Sequence, residues 1–240
     1  MKRRLSLCIL STLFITAVST TVLAQNQEDS HDAVRPAPRE GGWMKRHEAM
    51  NNRVSQGNVD LVFIGDSITQ GWEGRGKKVW AEFYGDRNAV NLGIGGDRTQ
   101  HVIWRLQNGN LKNIAPKAAV IIIGTNNSGS NTPDQIAEGI SDIVDVPKEK
   151  TPNTKILLLA TFPRGADAND GRRKVNEQCN AIASKLADNQ KIFYLDIGSE
   201  FLSDDKTLSR EIMPDLLHLS EQGYTIWAKS IESKLSELLK

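Results

Sequence analysis

One serine and one aspartate–histidine pair are the residues most suited to nucleophilic chemistry. Ser67 closes the sequence Gly65-Asp66-Ser67 after an apolar run, and Asp215 lies three residues before His218. A serine hydroxyl becomes a nucleophile when a histidine takes its proton, and a carboxylate can hold that imidazole in the required tautomer. Helix capping would also explain Ser67, and a local capping contact before Ser220 would explain Asp215 and His218. The residue types and spacing are compatible with a triad of Ser67, Asp215 and His218, and by themselves they fit these capping roles about equally well.

The other three histidines fit the role of base less well. His31 lies in a polar N-terminal stretch, and His47 lies on an amphipathic stretch before the first predicted strand. His101 lies within a helical pattern beside apolar residues, which favours a packed or capping role. His218 is therefore the expected base.

Two further segments could stabilise negative charge on a carbonyl oxygen. Gly96 ends the run Gly93-Ile94-Gly95-Gly96, where the backbone can approach a ligand closely, and Asn126 offers a side-chain amide. Turn formation would also explain these residues. The glycine run is not a dinucleotide-binding pattern, because Arg98 occupies the position of the third glycine. No histidine, cysteine or carboxylate cluster has metal-ligand spacing, so we expect neither a metal nor another cofactor.

Five short apolar runs are expected to position these side chains. They are residues 61–64, 89–92, 118–123, 156–160 and 192–195. Helical patterns lie between or after them, at residues 99–107, 133–144, 172–186 and 221–239. Strands that are apolar throughout have both faces covered, so the pattern predicts a three-layer α/β/α sandwich around a five-stranded parallel sheet. In such a sheet the functional residues gather beyond the carboxyl ends of the strands.

The N-terminus has the composition of an export signal. Lys2, Arg3 and Arg4 precede the uncharged, mostly apolar stretch 5–18, and Val22-Leu23-Ala24 supplies the small residues of a cleavage site. We therefore predict a signal peptide at 1–24 and a periplasmic or secreted protein. The apolar stretch is shorter than the roughly 20 residues of a membrane span, so stable membrane insertion is not expected. Residues 25–42 are predicted to be a flexible lead-in, and residues 43–240 one domain.

Charge and cysteine content restrict the partners. The leader holds three of the 30 basic residues and none of the 29 acidic ones, which leaves a formal charge of −2 after cleavage. This balance gives no reason to expect binding to nucleic acid or anionic membranes. One cysteine remains, Cys179, and its helical surroundings predict a small buried core residue. The sequence does not indicate an oligomeric state.

Taken together, the four segments resemble the four blocks of the SGNH hydrolases, also called GDSL esterases. The matching segments are Gly65-Asp66-Ser67, Gly96, Gly124-x-Asn126 and Asp215-x-x-His218, and the resemblance extends over about residues 61–218. It implies a flavodoxin-like fold and hydrolysis of esters that carry a short acyl group, often acetyl. It also implies that Ser67 is the nucleophile, His218 the base and then the acid, and Asp215 the orienting carboxylate. The backbone N–H groups of Gly96 and Ser67 and the side chain of Asn126 would then form the oxyanion hole.

Two groups within this family suggest different substrates. The stretches Asn91–Asp97 and Trp104-Arg105-Leu106 resemble the catalytic subunits of intracellular platelet-activating-factor acetylhydrolases. The predicted export signal instead favours the exported bacterial members that deacetylate polysaccharides. We therefore expect the substrate to be a small-molecule or polysaccharide ester. Trp72 and Trp80 lie near the nucleophile in sequence and would either stack on sugar rings or form part of the core. A phospholipid-type ester hydrolase, an acyltransferase to a sugar hydroxyl and a non-catalytic polysaccharide-binding module remain as alternatives.

Overall fold

A five-stranded parallel sheet forms the centre of the computed structural model, which describes residues 31–240. The strand order is β2-β1-β3-β4-β5, and Asp32–Lys240 form one unit around it. The strands are β1 (Leu61–Gly65), β2 (Ala89–Gly93), β3 (Ala118–Ile122), β4 (Lys155–Leu159) and β5 (Ile192–Leu195). The predicted signal peptide lies outside the described residues.

Seven α-helices surround the sheet in this part of the chain. They are α1 (Gly42–Ser55), α2 (Ser67–Gln70), α3 (Lys77–Tyr84), α4 (Thr99–Arg105), α5 (Pro133–Lys150), α6 (Gly171–Ala183) and α7 (Glu221–Leu238). Val62 and Ile64 of β1 pack with α1, α4, α5 and α6, whereas Leu61 and Phe63 of the same strand pack with α3 and α7. Both faces of the sheet are therefore covered, and the predicted three-layer fold is confirmed.

The strand register places the functional segments at one edge of the sheet. Leu61 pairs with both Ala89 and Ala118, so Gly65 lies level with Gly93 on one side and Ile122 on the other. β1 and β3 are buried along their whole length because every side chain in them is small or apolar. The residues that follow β1, β2 and β3 consequently leave the sheet side by side.

Some helices differ from the sequence expectation. Helix α5 begins as predicted, with Thr132 as its cap and Gln135 completing a capping box, but it continues to Lys150 rather than ending at residue 144. Pro147 lies in the last turn of this helix, and the Thr151 backbone N–H and hydroxyl both donate to its carbonyl. Helices α1 and α3 are not among the elements that the sequence patterns predict. Among residues 31–240, none of the helices combines the length and the apolar character needed to span a bilayer.

The described part of the predicted lead-in packs against the domain. A short 3₁₀ helix, Asp32–Val34, contacts α4 and α5, and the Ala33 side chain is fully buried. The Thr99 hydroxyl donates to the Ala33 carbonyl at 2.7 Å, and Asn131 donates to the Asp32 carboxylate at 2.6 Å. Residues 32–41 therefore follow the domain surface before α1 begins.

Candidate active site

Ser67, His218 and Asp215 form a continuous chain of polar contacts. The Ser67 Oγ atom lies 2.9 Å from His218 Nε2, and His218 Nδ1 lies 2.7 Å from Asp215 Oδ2. The serine follows β1 and the other two residues precede α7, so the fold brings together positions 151 residues apart. The histidine and aspartate side chains retain about a third and a half of their exposure, so the site opens to solvent.

Asp66 fixes the position of the serine. It is the N-cap of α2, and its Oδ1 atom accepts the Ile68 N–H at 2.9 Å. The capping role that the sequence also allowed for Ser67 therefore belongs to Asp66, which leaves the serine hydroxyl for the histidine. Burial raises the pKa of the Asp66 carboxyl to about 7, although the hydrogen bond from Ile68 acts in the opposite direction.

The Asp215–His218 turn is fixed by its own hydrogen bonds. Asp215 Oδ1 accepts the backbone N–H groups of Leu217 at 3.2 Å and His218 at 2.7 Å, while Oδ2 faces the imidazole. Ser220 caps α7 by accepting the Gly223 N–H, so capping this helix does not need Asp215. Partial burial would raise the pKa of Asp215, but the hydrogen bonds from His218 outweigh it and lower the pKa to about 2. The carboxylate is thus ionised at neutral pH.

The glycine loop after β2 lies beside the serine. A Cβ atom placed on Gly95 would lie 3.7 Å from Ser67 Cβ, and Gly96 has a φ of +75°, which glycine adopts readily. The Gly95 N–H donates to Gln70 Oε1 at 2.7 Å, and the Asp97 N–H donates to the Ile94 carbonyl. Within the described residues the Gly96 N–H donates to no protein acceptor, so it is the group of this loop that can bind a ligand.

Asn126 lies between the glycine loop and the serine turn. Its Nδ2 atom donates to the Asp97 carbonyl at 2.9 Å and, over a longer 3.3 Å, to Asp66 Oδ2. The structure thereby brings all five residues singled out in the sequence to one place: Ser67, Gly96, Asn126, Asp215 and His218.

Beneath these residues lies a buried ion pair that the sequence analysis missed. Arg105 Nε donates to Asp97 Oδ2 at 2.7 Å, and both side chains are fully buried. Arg105 also donates to the Gly65 carbonyl at 2.8 Å, and Trp43 Nε1 donates to Asp97 Oδ1 at 2.6 Å. Arg105 lies on the apolar side of α4, and a buried charge needs a partner of opposite charge. This position could have indicated a buried carboxylate nearby.

Other residues considered in the sequence have structural roles. His101 Nδ1 accepts the Arg98 N–H, which confirms the capping role, and His47 is buried against Trp43 and Asn110. Cys179 is buried, and burial raises the pKa of its thiol to about 12, as expected for a core residue.

Of the two tryptophans considered for sugar stacking, Trp72 is 1% exposed within an aromatic cluster. Its ring contacts Phe63, Tyr84, Tyr224 and Trp227, so the core alternative is correct for Trp72. Trp80 is partly buried against the same cluster. Residues 31–240 contain no group of three or more histidine, cysteine or carboxylate side chains placed to hold a metal ion.

Comparison with known proteins gives sequence relatives over most of the chain. The sequence model of the GDSL-like lipase/acylhydrolase family matches residues 63–226. Platelet-activating factor acetylhydrolase IB subunit alpha1 of Bos taurus is 37% identical over 216 residues, which cover 88% of this chain and 92% of that protein. The alpha2 subunit of Rattus norvegicus is 36% identical over 223 residues, covering 90% and 95%.

Solved structures share the fold at lower sequence identity. A GDSL-like lipase from Bacteroides thetaiotaomicron superimposes with a TM-score of 0.64 at 21% identity, covering 80% of this chain and 97% of its own. A catalytic mutant of an acetylxylan esterase from Geobacillus stearothermophilus superimposes with a TM-score of 0.59 at 20% identity, covering 73% and 93%. These two structures support the architecture of the sheet and its helices.

Proposed function

The chain belongs to the GDSL-like lipase/acylhydrolase family and is a carboxylic-ester hydrolase, and we propose that it removes short acyl groups, above all acetyl, through an acyl-enzyme on Ser67. The observation that carries this proposal is the position of His218, whose ring lies within hydrogen-bond distance of both Ser67 and Asp215. This is the arrangement in which a histidine can activate a serine and later protonate a leaving group.

In the first half of the reaction, His218 Nε2 takes the Ser67 proton while Oγ bonds to the ester carbonyl carbon. The carbonyl π electrons move onto oxygen, and the N–H groups of Gly96 and Ser67 with Asn126 Nδ2 stabilise the charge. Asn126 Nδ2 keeps its 2.9 Å bond to the Asp97 carbonyl and exchanges its longer 3.3 Å contact with Asp66 Oδ2 for the oxyanion. When the tetrahedral intermediate collapses, the C–O bond to the alcohol breaks and the alcohol leaves with the proton from His218. Water then repeats the sequence on the acyl-enzyme and releases the carboxylic acid and free Ser67.

Asp215 makes this cycle possible through its charge. The ionised carboxylate accepts the Nδ1–H of His218, which leaves Nε2 without a proton and able to act as the base. It also stabilises the imidazolium that forms in each half-reaction. The pKa of about 2 keeps Asp215 in this form over the whole neutral range.

The proposed substrates are acetylated carbohydrates outside the cytoplasm. Support comes from the basic and apolar N-terminus, from a site that opens to solvent, and from the acetylxylan esterase among proteins of this fold. We also propose cleavage of the leader after Ala24. Expression with its own N-terminus, followed by fractionation and mass measurement, should give a periplasmic or secreted protein that begins at Gln25. A cytoplasmic protein that retains residue 1 would contradict export.

A second candidate substrate is a glycerophospholipid with a short acyl chain. It is supported by the 36–37% identity to subunits of platelet-activating factor acetylhydrolase over about nine-tenths of the chain. Acetate release from acetylated xylo-oligosaccharides and from 2-acetyl-1-alkyl-glycerophosphocholine, compared by kcat/KM, separates the two. Addition of a free sugar acceptor tests the transferase alternative, which predicts acylated sugar in place of acetate.

The activity itself is tested with p-nitrophenyl acetate. The wild-type protein should release p-nitrophenol, Ser67→Ala should reduce turnover by at least about 1,000-fold, and the exposed control Ser203→Ala should behave as wild type. Absence of turnover in the wild type, or turnover that survives in Ser67→Ala, would overturn the proposed mechanism.

A further inference from the structure

Arg39 lies outside all four sequence blocks but contacts the glycine loop of the site directly. It belongs to the segment before α1, ahead of the stretch that the family model matches. Its Nη1 atom donates to the Gly95 carbonyl at 2.9 Å and to Asp97 Oδ1 at 3.2 Å. A Cβ atom placed on Gly96 would lie 3.3 Å from the same nitrogen, so the guanidinium rests against this loop.

The contact with the Gly95 carbonyl determines where the next N–H group points. The Gly95–Gly96 peptide is trans, so the Gly95 carbonyl and the Gly96 N–H point in opposite directions within one planar unit. With the carbonyl oxygen bound to Arg39, the Gly96 N–H points away from the guanidinium. Glycine on both sides lets this peptide rotate at low cost, and a rotated peptide would present a carbonyl oxygen where the mechanism needs a donor.

Arg39 is itself held in place by a buried group. The Asp97 side chain is fully buried and also binds Arg105 and Trp43, which fixes the carboxylate that Arg39 approaches. The backbone carbonyl of the same Asp97 accepts the Asn126 amide at 2.9 Å. Asp97 thus connects Arg39 to the side chain of Asn126, the second proposed oxyanion donor.

We propose that Arg39 is a positioning residue for the oxyanion hole, which keeps the Gly95–Gly96 peptide oriented with its N–H directed at the reacting carbonyl oxygen. The inference rests on the proposed function, because it assigns Gly96 as a donor to the oxyanion. A charged donor on the carbonyl also polarises the peptide unit and strengthens its N–H as a donor. Arg39 touches no reacting atom and acts only through this peptide.

Steady-state kinetics with p-nitrophenyl acetate test the proposal. Arg39→Met removes the donor and should lower kcat on the order of 10-fold to 100-fold with little change in KM, less than is typical for deleting an oxyanion donor outright. Arg39→Lys can still donate to the Gly95 carbonyl and should have an intermediate kcat. Arg35→Met, at an exposed arginine of the same segment, is the matched control and should equal wild type.

A second measurement separates positioning from a general loss of structure. Arg39→Ala leaves an accessible space, because the arginine side chain is 38% exposed, so millimolar ethylguanidinium should restore part of its kcat and leave Arg35→Ala unchanged. The proposal is wrong if kcat of Arg39→Met lies within twofold of wild type, if Lys and Met variants lose equal activity, or if the loss is confined to KM. Turnover that depends on Ser67 in the same assays upholds the proposed function even if the Arg39 variants are normal.

Discussion

Asp215 holds His218 with both of its carboxylate oxygens, Oδ2 at 2.7 Å from Nδ1 of the ring and Oδ1 at 2.7 Å from the backbone nitrogen. The two contacts have different consequences. The backbone contact shapes the turn that carries both residues, whereas the ring contact selects the tautomer of the histidine. An asparagine at this position would preserve the first contact and reverse the polarity of the second.

Asp215→Asn should therefore keep the fold and lose the base. The asparagine oxygen can still accept the His218 backbone N–H, but its NH2 group would face Nδ1, which must then be unprotonated. The proton moves to Nε2, so the ring can no longer accept the Ser67 proton, and kcat should fall on the order of 1,000-fold or more. The measurement is kcat for p-nitrophenyl acetate together with the melting temperature.

Asp205→Asn is the matched control for this prediction. Asp205 is an exposed aspartate that also accepts a backbone N–H two residues ahead, from Thr207, and it lies outside the proposed site. Its variant should keep wild-type kcat. An Asp215→Asn enzyme with kcat within tenfold of wild type would show that the tautomer does not depend on this carboxylate.

Asn126→Ala should remove one donor from the oxyanion hole. Because the Asn126 amide stabilises charge that appears only in the transition state, kcat should fall on the order of 100-fold while KM changes little. The same kinetic assay gives both constants, and Asn52→Ala, at an exposed asparagine of helix α1, provides the control. A decrease confined to KM would assign Asn126 to substrate binding instead.

The buried carboxyl of Asp66 should make stability depend on pH. Its pKa is about 7 in the folded protein, against 3.8 for an unperturbed aspartate, so the unfolded chain ionises first as the pH rises. The contribution of Asp66 to the free energy of unfolding is then fully present below about pH 4 and decreases up to about pH 7, by on the order of a few kcal/mol.

Urea unfolding at pH 4, 5.5 and 7.5 measures this effect. Compared with wild type, Asp66→Asn should lose less stability between the lowest and highest pH, since asparagine does not titrate but can still accept the Ile68 N–H. The comparison uses the change with pH, so a uniform cost of the substitution does not affect it. Equal pH slopes for the two proteins would show that Asp66 titrates normally.

The sheet and the five-residue site could be predicted because local sequence carries them. Each strand is a short apolar run that ends at or near a glycine or polar segment, and Ser67, Gly96 and Asn126 follow β1, β2 and β3 within a few residues. Asp215 and His218 lie before α7, where their three-residue spacing is itself a local signal. Once the strands are assigned, the geometry of a parallel sheet gathers those residues at one edge.

The support beneath the site could not be predicted in the same way. Arg39 and Asp97 are 58 residues apart, and no local pattern indicates that the segment before α1 returns to the glycine loop. The Asp97–Arg105 pair likewise depends on how closely α4 packs against the sheet. The role of Trp72 could not be predicted either. A tryptophan that is close to the nucleophile in sequence can still point into the core.

The most direct test of the mechanism is to identify the residue that becomes acylated. Treatment with a p-nitrophenyl phosphonate, which forms a stable tetrahedral adduct on an activated serine, should release one equivalent of p-nitrophenol, and peptide mass spectrometry should place the adduct on Ser67. His218→Ala should label at least about 1,000-fold more slowly, because the serine then lacks its base. An adduct on another residue, or labelling of Ser67 at an unchanged rate without His218, would contradict the proposed mechanism.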